Sequence, residues 1–257
     1  MMIRRVSAQV FATRSKLGLT QVSASQFENR APSGARFFYN VDMNLLDTLI
    51  CELDTGLKTV FAKAHGERPL PRPAAMAPAD AAPMAPMEKA DEAESIRLMR
   101  INHCGEVCAQ ALYQGQAMVA RDKGVQQLLV EAAGEEHDHL AWCESRLTQL
   151  GGKRSYLSPL FYAGSFGLGV VSGLMGDKWS LGFLVETERQ VEAHLHNHLG
   201  RLPAGDTGSR AILEAMRQDE IRHGKSGIEH GGEPLPPPVK AAMAVFSKVM
   251  TRATYWV

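Results

Sequence analysis

GEEHDHLAWC, residues 134–143, places three acids and a histidine pair in a stretch that otherwise has the spacing of a buried helix. Leu129, Ala132, Ala133, Glu136, His139, Leu140, Cys143 and Leu147 recur at three- and four-residue intervals. Glu136 and His139 therefore share the face that should be turned inward. A second stretch repeats the device: in DEIRHG, residues 219–224, Glu220 and His223 lie on the stripe of Ile212, Met216 and Gly227. Two further stripes each carry a single carboxylate. One reads Met99, Asn102, Glu106, Ala109, Tyr113, Ala117, and the other Leu181, Leu184, Glu188, Val191, Leu195, Leu199.

Four carboxylates in one apolar core would repel each other and could not all stay ionised. Cations among them remove the cost, since two divalent ions balance four glutamates and leave the two imidazoles neutral. Glu-x-x-His on two helices, with one Glu on each of two others, is the pattern of the ferritin-like dinuclear bundle. The expected fold is therefore all-α, a ferritin-like four-helix bundle, with added amphipathic helices for membrane contact. Oxygen and nitrogen donors without thiolate suit iron or manganese. Asp138 lies inside EEHDH and Asp219 inside DEIRH, and both are expected to accept the outer N–H groups of the histidines. His194 borders the Glu188 face and is a further candidate for that role. His196 and His198 are expected to face solvent. Cys104 and Cys108, one turn apart near Glu106, read as small buried thiols.

Residues 1–41 hold Arg4, Arg5, Arg14, Lys16, Arg30 and Arg36 against one acid, Glu28. That composition fits a transit peptide, or a start upstream of the true one, with the protein beginning near Met43. In both readings residues 1–42 are an N-terminal extension outside the fold. Residues 43–66 predict a helix on Leu46, Leu49, Leu53, Leu57, Val60 and Phe61, capped by Asp42 and ended by Gly66. Residues 67–90 contain six prolines and predict a flexible, partly extended linker. Residues 91–257 form the di-iron domain, with helices expected over 91–121, 124–150, 179–199 and 206–230 and an amphipathic stretch over 239–256.

The formal net charge is zero, without the basic surplus that nucleic-acid binding needs. Four scattered cysteines do not make a disulfide scaffold. SYLSPLFYAGSFGLGVVSGLMG, residues 155–176, carries no charge. Its length reaches the lower limit for crossing a bilayer, but its glycines and Pro159 favour a hairpin or helix lying in one leaflet. The C-terminal stretch sets Val245, Phe246, Val249 and Met250 against Lys240, Lys248 and Arg252. It ends in Tyr255-Trp256, a pair suited to a membrane interface.

INHCGE (101–106), LYQGQ (112–116), EEHDHLAW (135–142), VETERQVEAHL (185–195) and DEIRHG (219–224) resemble the demethoxyubiquinone hydroxylase family of ubiquinone biosynthesis. The resemblance runs from about residue 43 to the end. It implies a monooxygenase with two iron ions per chain (Fe2+/Fe3+), O2 as co-substrate and an external electron donor, NADH or a reductase. The substrate it implies is a 3-methyl-6-methoxy-2-polyprenyl-1,4-benzoquinol, hydroxylated on its ring. It carries the ligand set over to Glu106, Glu136, His139, Glu188, Glu220 and His223, with Glu106 or Glu188 as the bridge between the metals. Other proteins of the pathway and the membrane surface are the implied partners. Leu195 departs from animal members, which have tyrosine there, so a role for that tyrosine in electron delivery does not transfer. The proline-rich linker resembles bacterial members and favours the cytoplasmic side of the cell membrane, held peripherally. A transit peptide would instead imply the matrix side of the mitochondrial inner membrane. Two rivals use the same ligands: a ferritin-like iron-oxidising and storage protein, and a hydroxylase of another substrate such as modified tRNA.

Overall fold

The computed structural model describes residues 45–73 and 87–257, apart from the Leu45 side chain. The expectations for residues 1–42, for the Asp42 cap and for most of the proline-rich linker lie outside these residues. Seven helices and no strand occur among the described residues. They are α1 (Leu45–Phe61), α2 (Lys89–Val119), α3 (Lys123–Gln149), α4 (Ser158–Leu174), α5 (Asp177–Arg201), α6 (Thr207–Glu229) and α7 (Pro237–Trp256).

Helices α2, α3, α5 and α6 form the bundle. Local chemistry sets their ends. The Asp122 carboxylate accepts from the Gly124 and Val125 amides at the start of α3. Asp206 does the same for Ser209 in α6, satisfying amides that have no partner within the helix. Gly151, with φ of 68°, and Gly231, with φ of 90°, follow the ends of α3 and α6 in the left-handed region that favours glycine.

The core is split into two apolar layers. One joins Leu98 and Met99 of α2, Trp142 to Leu147 of α3, Leu195 of α5 and Ile212 to Met216 of α6. The other joins Ala109 to Ala117 of α2, Val125 to Ala133 of α3, and Leu181 and Leu184 of α5. Glu106, Glu136 and Glu188 fall between these layers, and in α6 Glu220 follows the residues of the first, so these polar residues occupy the middle of the bundle. The layers also fix direction: α2 and α6 run one way, α3 and α5 the other. One long crossover must then join the end of α3 to the distant start of α5, and α4 makes it. A bundle with a single crossover is the ferritin-like topology.

Most of residues 155–176 thus form the helix α4, with Pro159 in its first turn, where a missing N–H costs nothing. It lies against α2 backbone to backbone. A Cβ on Gly169 would stand 2.2 Å from the Leu112 carbonyl oxygen, and one on Gly115 would stand 2.4 Å from that of Phe166. Gly169 and Gly173 of α4 and Gly115 of α2 therefore serve close packing. No described helix is long and apolar enough to cross a membrane.

Two expectations change. Helix α1 was expected to end at Gly66 but ends at Phe61, and it turns its apolar residues outward: Leu46, Leu53 and Phe61 are each about two-thirds exposed, while Glu52, Gly56 and Thr59 are buried. The small face fits closely against α4, where a Cβ on Gly56 would meet the Tyr162 ring at 2.9 Å. Residues 67–73 carry no regular secondary structure and are pinned to the bundle: Leu70, and Met87 near the end of the linker, both pack on the first core layer.

Candidate metal centre

The six acids and imidazoles singled out from the sequence converge. Glu106, Glu136, His139 and Glu220 bring one donor atom each within 4.8 Å of one another, and so do Glu136, Glu188, Glu220 and His223. Glu136 and Glu220 belong to both groups, whereas Glu106 serves only the first and Glu188 only the second. By position, then, the carboxylates between the two groups are those of the Glu-x-x-His pairs, not Glu106 or Glu188.

His139 Nδ1 points inward, 2.9 Å from Glu136 Oε2, 3.3 Å from Glu220 Oε1 and 3.5 Å from Glu106 Oε2. His223 Nδ1 also points inward, 3.4 Å from Glu136 Oε1, 3.5 Å from Glu188 Oε1 and 3.8 Å from Glu220 Oε2. The Tyr113 hydroxyl donates to Glu188 Oε1 at 2.5 Å. Yet Glu136 Oε1, Glu188 Oε2, Glu220 Oε1 and His223 Nδ1 are buried and have no aligned hydrogen-bond partner. Buried polar atoms are nearly always satisfied. Four orphans aimed at common points fit cations, and an oxygen-rich set with two imidazoles fits two iron ions.

Electrostatics support the same assignment. Burial and the charge of Glu136 push the Glu106 carboxyl up to about 8. Burial and Glu220 push Glu188 up strongly. Burial acts to lower both imidazoles, but the surrounding carboxylates overrule it and hold them far above their ordinary value. Glu136 is held down against its burial by His139 and His223. Without metal the cluster thus neutralises itself with protons, occupying the place of the missing positive charge.

The outer nitrogens of the two rings are held across the bundle. His139 Nε2 lies 2.9 Å from Asp219 Oδ2, and His223 Nε2 lies 3.1 Å from Glu135 Oε2. Each ring is thus held by the acid preceding the glutamate of the opposite Glu-x-x-His pair. Asp219 stands where it was expected. Asp138 does not: it accepts from the Glu67 amide at 2.6 Å and from Arg68 Nε at 2.7 Å. The role expected of Asp138 falls to Glu135, which sequence reasoning missed because both acids sit one residue off the ligand stripe and the spacing does not say which one faces His223. His194 lies away from both groups, its ring 4.5 Å from that of His198. His198 is buried, against expectation, and pairs through Nδ1 with Asn102 Oδ1 at 2.8 Å. It follows buried Leu195 by three residues and so shares its face. Cys104 packs with Phe161 and Met250, with Cys108 alongside, outside both donor groups.

The family model for ubiquinone biosynthesis protein COQ7 matches residues 93–254. A 3-demethoxyubiquinol 3-hydroxylase of Nitrosomonas europaea is 53% identical over 212 residues, covering 82% of this chain and 99% of the relative. Proteins of the same name from Dechloromonas aromatica and Chromobacterium violaceum are 52% identical over 209 residues and 53% over 211, covering 81% and 82% of this chain and 98% and 99% of theirs. With both Glu-x-x-His helices inside the matched region, the chain belongs to the COQ7 family of ubiquinone-biosynthesis proteins.

Proposed function

We propose that the chain is a di-iron monooxygenase that hydroxylates the ring of the demethoxy-polyprenyl-benzoquinol precursor of ubiquinone at a membrane surface. The observation that carries this reading is the buried pair of donor groups sharing Glu136 and Glu220. The activity named for the relatives supports the substrate. Glu106, Glu136, His139, Glu188, Glu220 and His223 would hold the ions. When bound, the iron would supply reductive activation of O2 and transfer of one oxygen atom to the ring, with electrons from an external donor such as NADH.

The chain's own residues do the remainder. The apolar layers above and below the acids keep the centre dry, which strengthens every charge interaction inside it. Asp219 and Glu135 hold the imidazoles so that their Nδ1 lone pairs face inward. The Tyr113 hydroxyl keeps one Glu188 oxygen in place.

The experiment is complementation of a strain lacking its demethoxyubiquinol hydroxylase, followed by quinone analysis. Conversion of accumulated demethoxyubiquinone to ubiquinone is expected. Unchanged accumulation with the protein expressed would overturn the reading.

Three neighbouring helices support a peripheral place on the membrane. Helix α4 exposes Leu160, Val171 and Leu174, α1 beside it exposes Leu46, Leu53 and Leu57, and α7 exposes Val245 and Val249. Tyr162 of α4 meets Gly56 of α1, and Phe161 meets Phe246 of α7 with ring centroids 5.9 Å apart. An apolar expanse of this kind marks an interaction surface. It suits a polyprenyl substrate drawn from a bilayer better than the polar exterior of an iron-storage cage.

Combining Leu53→Glu, Leu160→Glu and Val249→Glu should leave folding intact, because all three side chains are exposed. Each substitution removes about 1.5–3 kcal/mol of apolar transfer. Binding to phosphatidylethanolamine–phosphatidylglycerol vesicles should therefore fall at least about 100-fold. Equal co-sedimentation of variant and wild type would sink the membrane assignment.

A further inference from the structure

The two outer-nitrogen partnerships are built alike, with one difference. Glu135 Oε2, which holds His223, is also held by Arg222. Asp219 Oδ2, which holds His139, is also held by an arginine, Nη1 of Arg68 at 2.7 Å, while Arg222 Nη1 donates to the other oxygen, Oδ1, at 2.6 Å. Arg222 comes from the same helix as His223. Arg68 comes from far outside it, 151 residues before Asp219 and before the start of the family-matched region at residue 93.

Residues 62–70 bring Arg68 to this position. The Ala62 carbonyl accepts from Arg154 at 2.9 Å, and the Ala64 amide donates to Glu144 at 2.9 Å. The Glu67 amide and Arg68 Nε clasp Asp138. The Arg68 carbonyl accepts from Trp142 at 3.3 Å, and the guanidinium lies 4.6 Å from the centre of that indole. The guanidinium therefore spans two carboxylates, Asp138 on α3 and Asp219 on α6, in a fork that a lysine cannot reproduce.

We propose that residues 62–70 are a strap belonging to the metal centre, with Arg68 as a positioning residue that acts through Asp219 on His139. By fixing Asp219, Arg68 fixes the orientation and tautomer of the ring whose other nitrogen faces the donor group. Arg222 holds Asp219 through Oδ1, and Arg68 holds Oδ2, the oxygen that faces His139. The inference rests on the metal reading given above.

The test uses the full chain, metal-free, titrated with Co(II) while the d–d absorption is followed. Wild type is expected to take two ions. Arg68→Ala should weaken one of them by about 10–100-fold, the usual cost of losing a group behind a metal ligand, and should alter that ion's absorption. Arg68→Lys should recover part of the affinity. If wild type takes no Co(II), the metal reading fails and the strap's role falls with it. If wild type loads and Arg68→Ala loads with the same affinity and spectrum, the strap inference alone is overturned, even where the melting temperature of the metal-free variant drops. Should Arg68→Ala not fold, Arg68→Lys decides: unchanged affinity and spectrum overturn the inference, and a selective weakening of one ion supports it.

Discussion

Glu136→Gln should lose both metal ions and at least about 1,000-fold of the hydroxylation rate, while Glu106→Gln should keep the ion on the His223 side. The difference follows from position. Glu136 sends Oε2 toward His139 and Oε1 toward His223, so it contributes an oxygen to each donor group. Glu106 reaches only the His139 group. Glutamine fills the same space, which separates loss of charge from loss of packing. A metal centre contributes several kcal/mol of transition-state stabilisation, and each 1.36 kcal/mol is tenfold in rate, which sets the scale of the loss. Iron per chain after anaerobic Fe(II) loading, measured beside helix content, checks both variants. A Glu136→Gln protein that keeps two ions and turns over would show that the shared carboxylate is not what joins the two groups.

The bundle was legible because four stripes put carboxylates where leucines belong, and the spacing of each stripe is a local property of its helix. That is why Glu106, Glu136, His139, Glu188, Glu220 and His223 could be named before any coordinates, and why all six meet. What lay beyond the sequence depends on which surfaces face each other. Glu135 adjoins Glu136 and Asp138 adjoins His139, and periodicity alone does not say which of them faces α6. Glu135 turns toward His223, and Asp138 turns toward the strap. Arg68 was invisible for the same reason: six nearby prolines mark a linker, and nothing local reveals that its first residues cross the bundle to Asp219. Helix α1 shows the same limit. Its apolar stripe is plain in the sequence, but the side that packs is the small and polar one of Glu52, Gly56 and Thr59. Amphipathicity identifies a helix without saying which face meets protein.

Raising the pH should destabilise the metal-free protein and leave the loaded protein unharmed. His139 and His223 have folded-state pKa values raised far above their unfolded ones. Their contribution is complete below the unfolded value of 6.5 and is lost progressively above it. Glu106, raised from 4.5 to about 8, is a carboxyl that the fold keeps protonated. It also binds a proton in the folded state that the unfolded chain has released. Each such proton makes stability fall by about 1.4 kcal/mol per pH unit. Groups shifted the other way act at lower pH. Burial depresses His103 and His198 to about 3, so their influence lies below 6.5. Asp219 and Glu136 are held down as acids and act at the acidic end. Between pH 6.5 and 8 the cluster therefore sets the slope. At about 2–4 °C per kcal/mol for a chain of this size, the melting temperature without metal should drop by about 3 °C or more per pH unit. Bound cations displace those protons, so the stabilisation from added Mn(II) should widen over the same window, because metal competes better as protons leave. Thermal unfolding with and without Mn(II) at several pH values measures both curves. A metal-free melting temperature that stays level or climbs from pH 6.5 to 8 would mean that the buried acids and imidazoles are not exchanging protons for metal.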